Sequence, residues 1–251
     1  MLLFTEVRDI GILRTSALGG SRKFAQEGTI RIMRIISLNI GLPSAQQYEG
    51  REVITGGAKK PVLRAVLRFG NLDGDRQADR VNHGGAEKAV CVYPFDHYPY
   101  WNRQLGRDLQ PGAFSENLTV SGIREARVCV GDVFRAGEAV VQVSTPRTPC
   151  YKVAGKTGEK QLSKWISGSG YTGFYMRVLE EGLVQKGDAF ERLERHPDGI
   201  AIARVNDIIY GRFRDLDLIE YLAGLPEFGD AGRAAFARLL GKVRRERLGE
   251  G

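Results

Sequence analysis

The chain is short of the residues from which disulfide scaffolds, multi-histidine metal centres and membrane spans are built. Its three cysteines, Cys91, Cys129 and Cys150, are an odd number with no Cys-x-x-Cys spacing. That argues against a disulfide framework or a zinc knuckle, and against a plant-type iron–sulfur site, which needs four thiolates. The three histidines, His83, His97 and His196, are too few and too scattered for a multi-histidine metal site. No apolar run approaches the ~18 residues of a membrane helix. Glu6, Arg8 and Asp9 interrupt the apolar start of the chain, which is therefore no secretory signal. The cytoplasm is the expected compartment, and no membrane partner is expected.

What the chain does contain is ordinary for a globular protein of its length: 42% hydrophobic and 27% charged residues, enough for a sizeable core. A net charge of +7 would suit a polyanion if it were concentrated, but it divides as +2 over residues 1–32, +4 over 33–203 and +1 over 204–251. No segment reads as a surface for a nucleic-acid polymer. The local exception is Arg147 to Lys164, with five basic residues against Glu159 alone, and Lys152, Lys156, Lys160 and Lys164 recurring every four positions. Gly155 and Gly158 argue against one continuous helix there. The stretch reads either as a solvated face or as an anion site beside Cys150.

Patterning divides the chain into an extension over 1–32, a main domain over 33–203 and a three-helix tail over 204–251. Met33 to Asn39 reads as the first strand of the domain, Pro61 to Leu67 as a second and Lys88 to Tyr93 as a third, with Cys91 in the core. Phe95 to Leu105 is an aromatic amphipathic helix ended by Gly106. Val128 to Phe134, holding Cys129, and Ala139 to Val143 are further strands, and a last one lies near Arg192 and Leu193. Lys160 to Ile166 reads as a short helix. Gly168-Ser-Gly-Tyr-Thr-Gly173 fits Gly-x-Gly-x-x-Gly, but a dinucleotide fingerprint needs a strand before it and a helix after it, the reverse of the pattern here. In the tail, Asn206 and Asp207 are the expected cap of a helix over Ile208 to Phe213, followed by helices over Asp215 to Ala223 and Asp230 to Val243.

Chemistry gathers at Ser144 to Thr157. Pro146 and Pro149 cannot donate to a strand ladder, so they form a stiff turn that presents Cys150 beside Arg147, Lys152 and Lys156. Cations favour the thiolate, the form that attacks electrophiles and binds metals; an inert turn cysteine is the other reading. His83-Gly84-Gly85 is a second candidate, because paired glycines let backbone approach a ligand and aim N–H groups at an anion.

Taken together, Gly74-Asp75-x-Gln77-Ala78-Asp79, His83-Gly84-Gly85-x-x-Lys88-Ala89-Val90, Glu116-Asn117-Leu118-Thr119, Pro146-Arg147-x-Pro149-Cys150 and Tyr175-x-Arg177-Val178-Leu179-Glu180-Glu181-Gly182 before Gly187-Asp188 resemble the MOSC family, named for the C-terminal domain of molybdenum cofactor sulfurase. The likeness runs from about Met33 to the C-terminus and is narrower for the stand-alone bacterial branch with a three-helix tail. It implies a mainly β fold with peripheral helices: a β-barrel-like core plus the small tail. It also implies that Cys150 ligates molybdenum carried on a pterin, soft thiolate ligation suiting such a metal. His83, Gly84, Gly85, Lys88, Asn117, Arg147 and Lys152 match positions around that cofactor, with Arg147 and the lysines assigned to its phosphate. The chain departs from the family at Ser115, where glycine is usual before Glu-Asn-Leu, and at Asn82, where valine is common.

The function this resemblance implies is reduction of small N-hydroxylated compounds, such as hydroxylaminopurine-type bases, to amines. The chain carries no flavin, nicotinamide or iron–sulfur motif, so a separate reductase is the expected electron donor. No lysine context identifies a pyridoxal phosphate site. Two other classes stand beside this one: a sulfur carrier holding a persulfide on Cys150, and a non-catalytic metal- or anion-binding module.

Overall fold

The computed structural model describes residues 32–79 and 84–248. His83, Asn82, all but the last residue of the 1–32 segment and the end of the tail lie outside the described residues.

In chain order the elements are β1 (Arg34–Ile40), β2 (Ser44–Tyr48), β3 (Arg51–Thr55), β4 (Lys60–Val62), β5 (Arg64–Leu67), β6 (Val90–Pro94), α1 (Tyr98–Leu105), β7 (Leu118–Ser121), β8 (Val133–Ala136) and β9 (Ala139–Pro146). Then follow α2 (Tyr151–Thr157), α3 (Leu162–Ser169), β10 (Phe174–Glu180), β11 (Gly182–Gln185), β12 (Phe190–Glu194), α4 (Ile202–Ile209), α5 (Leu216–Gly224) and α6 (Asp230–Leu248). One sheet has the order β12-β8-β9-β10-β6-β7-β1-β4, antiparallel except where β6 pairs with β7. The segment entering β12 bonds back to the start of β1, through Ile35 N–H to Asp188 O (3.0 Å), Gly187 N–H to Ile35 O (2.8 Å) and Phe190 N–H to Met33 O (2.9 Å). The core is thus mainly β and barrel-like without a continuous closing ladder. No helix among the described residues is long and apolar enough to cross a membrane.

Two apolar clusters hold this frame. The larger runs from Ile35, Val92, Phe134 and Val141 through Met176 and Phe190 into the tail, where Val205, Ile219, Leu222 and Phe228 belong to it. The smaller joins Tyr93, Trp101 and Phe114 to Val153, Leu162 and Ile166, so it seats α2 and α3 on the aromatic helix α1. A register shift in β1 between Ile35 and Ser37 turns the polar Ser37 and Asn39 inward along with Leu38. It creates a buried polar seam that continues beneath the site described below.

Several sequence expectations need correction. The expected strand Pro61 to Leu67 is two: β4 pairs with β1, β5 with β11, and Leu63 between them is 79% exposed. The alternation is apolar on both halves, but each half serves a different sheet. Val128 to Asp132 is a turn, closed by Asp132 N–H to Cys129 O (3.1 Å) and by Cys129 N–H to the Asp132 carboxylate (3.0 Å); the strand begins only at Val133. Helix α4 starts at Ile202, so Asn206 caps nothing and is instead buried within it, donating to Thr172 Oγ1 at 2.9 Å. Asp215, by contrast, caps α5 by accepting from Leu218 N–H. As expected, the stretch from Arg147 to Lys164 is not one continuous helix, but the break between α2 and α3 falls at Gly158 and not at Gly155. A Cβ on Gly155 would stand 2.6 Å from Tyr48 Cγ, so the ring of β2's last residue occupies that space. Gly158 (φ +71°) ends α2. The hairpin β2–β3 was not anticipated at all.

Candidate functional site

Strand β9 delivers the chain to Arg147-Thr148-Pro149, and Cys150 follows with extended backbone at the start of α2. The helix is fixed by Val153 in the aromatic cluster and by Ser163 Oγ, which donates to Cys150 O at 3.0 Å. Cys150 is therefore held rigidly, half-buried, at the wall of a cleft. That cleft has an open volume of about 710 Å³ counting the solvent at its mouth.

Of the residues proposed from sequence, Cys150, Arg147, Lys152, Lys88 and Asn117 all line this cleft, although they come from three separate parts of the chain. Gly84 and Gly85 do not line it. Gly85 has φ +98°, which a side chain would resist, and it begins the single 3-10 turn Ala86–Lys88 that carries Lys88. His83 lies outside the described residues.

Arg147 is almost wholly buried. Burial works against its charge, but Cys91, Tyr175, Glu116 and Cys150 around it more than offset that and hold its pKa above the ordinary value. The guanidinium is thus a fixed cation between two thiols and a phenol. Burial, and next Cys91, raise the Tyr175 phenol, with Arg147 opposing, so it stays protonated. Burial also pushes the Cys91 thiol up. Lys88 is shifted down by burial, with Asp79 opposing, and its ammonium lies 5.8 Å from the Tyr175 ring centre.

Asn117 is buried and its amide is committed to the scaffold. It accepts from Cys91 N–H (3.1 Å) and donates to Asn39 O (3.2 Å) and to Asp75 Oδ2 (2.9 Å). Both amide protons are used, so Asn117 shapes the cleft wall rather than offering a donor to a ligand. Its neighbour Glu116 is fully buried and accepts from Tyr98 OH, Gly112 N–H, Thr119 Oγ1 and Phe114 N–H. Four donors on one carboxylate explain the Glu-Asn-Leu-Thr motif as architecture. Ser115, just before it, has φ +63°, the left-handed region in which glycine is favoured. The serine keeps that conformation while its Oγ donates to Gly57 O at 2.9 Å, closing the cleft edge.

Sequence reasoning missed Asp75, Lys59, Tyr175 and Cys91 as residues of the site. Asp75 is its hub: buried, it takes Lys59 as an ion-pair partner, Gly41 N–H at 2.8 Å and the Asn117 amide. Asp75 and Tyr175 do stand in quoted motifs, whereas Lys59, beside Lys60, looks like a surface residue. Cys91 was read as core, and it does sit in a buried strand, yet it also lines the cleft. With Lys59 and Asp75 cancelling, the lining keeps Arg76, Lys88, Arg147 and Lys152 against Asp79. The cleft is cationic.

Lys156 lies behind this wall and donates to Gly57 O (2.9 Å) and Gly112 O (2.6 Å). Burial lowers its pKa to about 8; Glu116 opposes, and Arg147 and Lys59 add to the fall. An unfolded chain keeps the proton up to the ordinary lysine value of 10.5. Between about 8 and 10.5 the unfolded state therefore binds more protons, and this residue's contribution to stability rises with pH. The stability difference between the native chain and Lys156→Met, measured by urea unfolding across that window, is expected to shift in favour of lysine as pH increases. A difference constant with pH would contradict the assignment.

The Gly168–Gly173 run is structural: it follows α3 and leads into β10, Gly170 (φ +73°) ends the helix, and a Cβ on Gly173 would stand 2.4 Å from Val92 O.

Comparison with known proteins places these features in context. A family model described as "MOSC domain" matches residues 79–191. An uncharacterized protein, YflK, of Bacillus subtilis is 48% identical over 205 residues, covering 81% of this chain and 93% of that protein. The crystal structure of YiiM from Geobacillus stearothermophilus superposes with a TM-score of 0.71 at 35% identity, over 83% of this chain and 99% of that one. A Gibberella moniliformis protein named "Reductase" is 34% identical over 157 residues, 61% of this chain but 28% of its own length.

Proposed function

The chain belongs to the MOSC-domain family, and from that premise we propose that it is a molybdenum-cofactor-binding oxidoreductase reducing N-hydroxylated compounds, hydroxylaminopurine-type bases among them, to amines. The observation that carries this reading is one cleft joining the Cys150 thiol to the buried Arg147 and to Lys88, Lys152 and Arg76. Its donor chemistry fits a molybdopterin: a soft sulfur for the metal and fixed cations for the anionic pterin phosphate. Asp75, the buried acid of the lining, is already neutralised by Lys59.

In this reading Cys150 holds the metal, Arg147 and the two lysines hold the phosphate, and Asn117 and Asp75 keep the wall in place. When bound, the group supplies two-electron chemistry, by which an N–OH compound, two electrons and two protons become an amine and water. A separate reductase protein provides the electrons. The fungal relative's name supports the oxidoreductase class, although this chain spans about a quarter of that protein. Residues 1–32 are proposed as an extension, 33–203 as the cofactor domain and 204–251 as its helical tail.

Protein produced in a cofactor-competent host is expected to contain molybdenum and pterin, and to form amine from an N-hydroxylated base with an artificial reductant. Protein free of metal and carrying a persulfide on Cys150 would instead establish a sulfur carrier.

A further inference from the structure

The turn that carries Lys88 has no buried residue of its own and no side-chain cap at its start. Its hold on the molecule comes from outside. Ser144 Oγ donates to Glu87 O at 2.5 Å. Arg177 forms an ion pair with the Glu87 carboxylate at 2.5 Å and also donates to Glu227 O, in the loop between α5 and α6, at 2.7 Å. Gly229 in the same loop donates its N–H to Ser144 O at 3.3 Å. It packs so closely that a Cβ there would stand 2.9 Å from Glu87 Oε2 and 3.1 Å from Glu87 Cβ. The loop itself is fixed by Leu225 and Phe228, both buried in the main core.

Tyr175 and Arg177 are two residues apart in β10 and so share a face. One lies beneath the Lys88 ammonium and the other holds Glu87, the residue before it. We infer that the helical tail is a brace for the Lys88 turn, and that Arg177 is the positioning residue through which Glu227 and Gly229 fix Lys88 in the cleft. The tail then serves the site without touching it. A clashing methyl at Gly229 and a lost cation at Arg177 act on the same turn from two sides. Gly224, with nothing within 4 Å of its Cβ position, gives a tail substitution that leaves the turn alone.

The test compares hydrogen exchange over residues 84–89, read by mass spectrometry on the full chain, with molybdenum content after expression in a cofactor-competent host. Arg177→Met and Gly229→Ala are expected to speed exchange in that segment about tenfold, as loss of a partly buried charged contact implies, and to lower bound molybdenum. Arg177→Lys, which keeps a cation for Glu87, is expected to restore both, and Gly224→Ala to change neither. Should Arg177→Met or Gly229→Ala fail to fold, Ser144→Ala removes one contact of the same turn and is expected to speed the same segment. Wild-type exchange over 84–89 in the folded variants would overturn the brace. The cofactor arm rests on the function proposed above; faster exchange in the variants together with a wild-type chain that holds no molybdenum would refute that function and leave the brace standing.

Discussion

Substituting Cys150 by serine is expected to leave a folded chain that retains little molybdenum and forms no amine from an N-hydroxylated base. Cys150 is half-buried at the cleft wall, and its backbone is secured by Ser163 and Val153 whatever its side chain. Serine is close in size, so the melting temperature should move by no more than a few degrees. The chemistry changes completely. A thiolate is a soft anionic ligand, whereas an alcohol stays protonated at neutral pH and offers a hard oxygen. Losing the ligand itself should exceed the roughly 10–100-fold effect typical of removing a group that merely supports a ligand. Elemental analysis, amine formation with a chemical reductant and a melting curve on the same sample decide the matter. Retention of both metal and activity in Cys150→Ser would remove Cys150 from the site. Cys91→Ala supplies the contrast: it leaves a small cavity in β6, and a cost in stability with metal retained is expected.

The largest effect on stability is expected from Asp75→Ala, at roughly 3–5 kcal/mol, the usual consequence of removing one partner of a buried ion pair. Lys59 keeps only 8% of its side-chain surface exposed and Asp75 none, so the alanine variant strands an ammonium away from water. It also orphans Gly41 N–H and one arm of the Asn117 amide. Asn117 then loses one of the bonds that set its position between Cys91 and Asn39, and the cleft wall loosens with it. Asp75→Asn preserves an acceptor for Gly41 and should cost less. Urea unfolding of the two variants measures the difference. A cost below about 1 kcal/mol for Asp75→Ala, the level of an exposed pair, would show that Lys59 escapes to solvent and that Asp75 is no hub.

Reading the chain as sequence succeeded where local chemistry is sufficient. Apolar, β-branched runs identified β1, β6 and β9, because such composition marks a strand whatever it pairs with. Gly106 as the stop of α1 and the start of α5 near Asp215 were legible because both signals act within one helical turn. The break before Cys150 was legible only in part: β9 runs on to pair Pro146 with Phe174, and Arg147 N–H still donates to Gly173 O at 3.1 Å, so Pro146 does not stop the ladder as expected. The failures share another cause. Gly155 reads as sharing in the helix break that Gly158 alone makes until Tyr48, more than a hundred residues away, is found filling the space of its missing Cβ. Asn206 reads as a cap until Thr172 engages its amide. Pro61 to Leu67 reads as one strand because nothing local reveals that β1 and β11 divide it between two sheets.

The same division runs through the site. The sequence by itself determined which groups exist for chemistry: one cysteine among cations after a proline turn, a scarcity of histidine that rules out a multi-histidine centre, and motifs shared with the MOSC family. These follow from residue type and short spacing, which the chain carries regardless of its shape. Only the tertiary structure decided that Asn117 spends its amide on the scaffold, that Lys59 is buried against Asp75, and that Cys91 faces the cleft of Cys150. It alone decided that Lys156 turns inward to two glycine carbonyls while Lys152 turns to the cleft. Burial and pairing are set by strands and loops distant in sequence, and desolvation decides whether a charged side chain is a solvated ornament, a strut or a ligand-facing group.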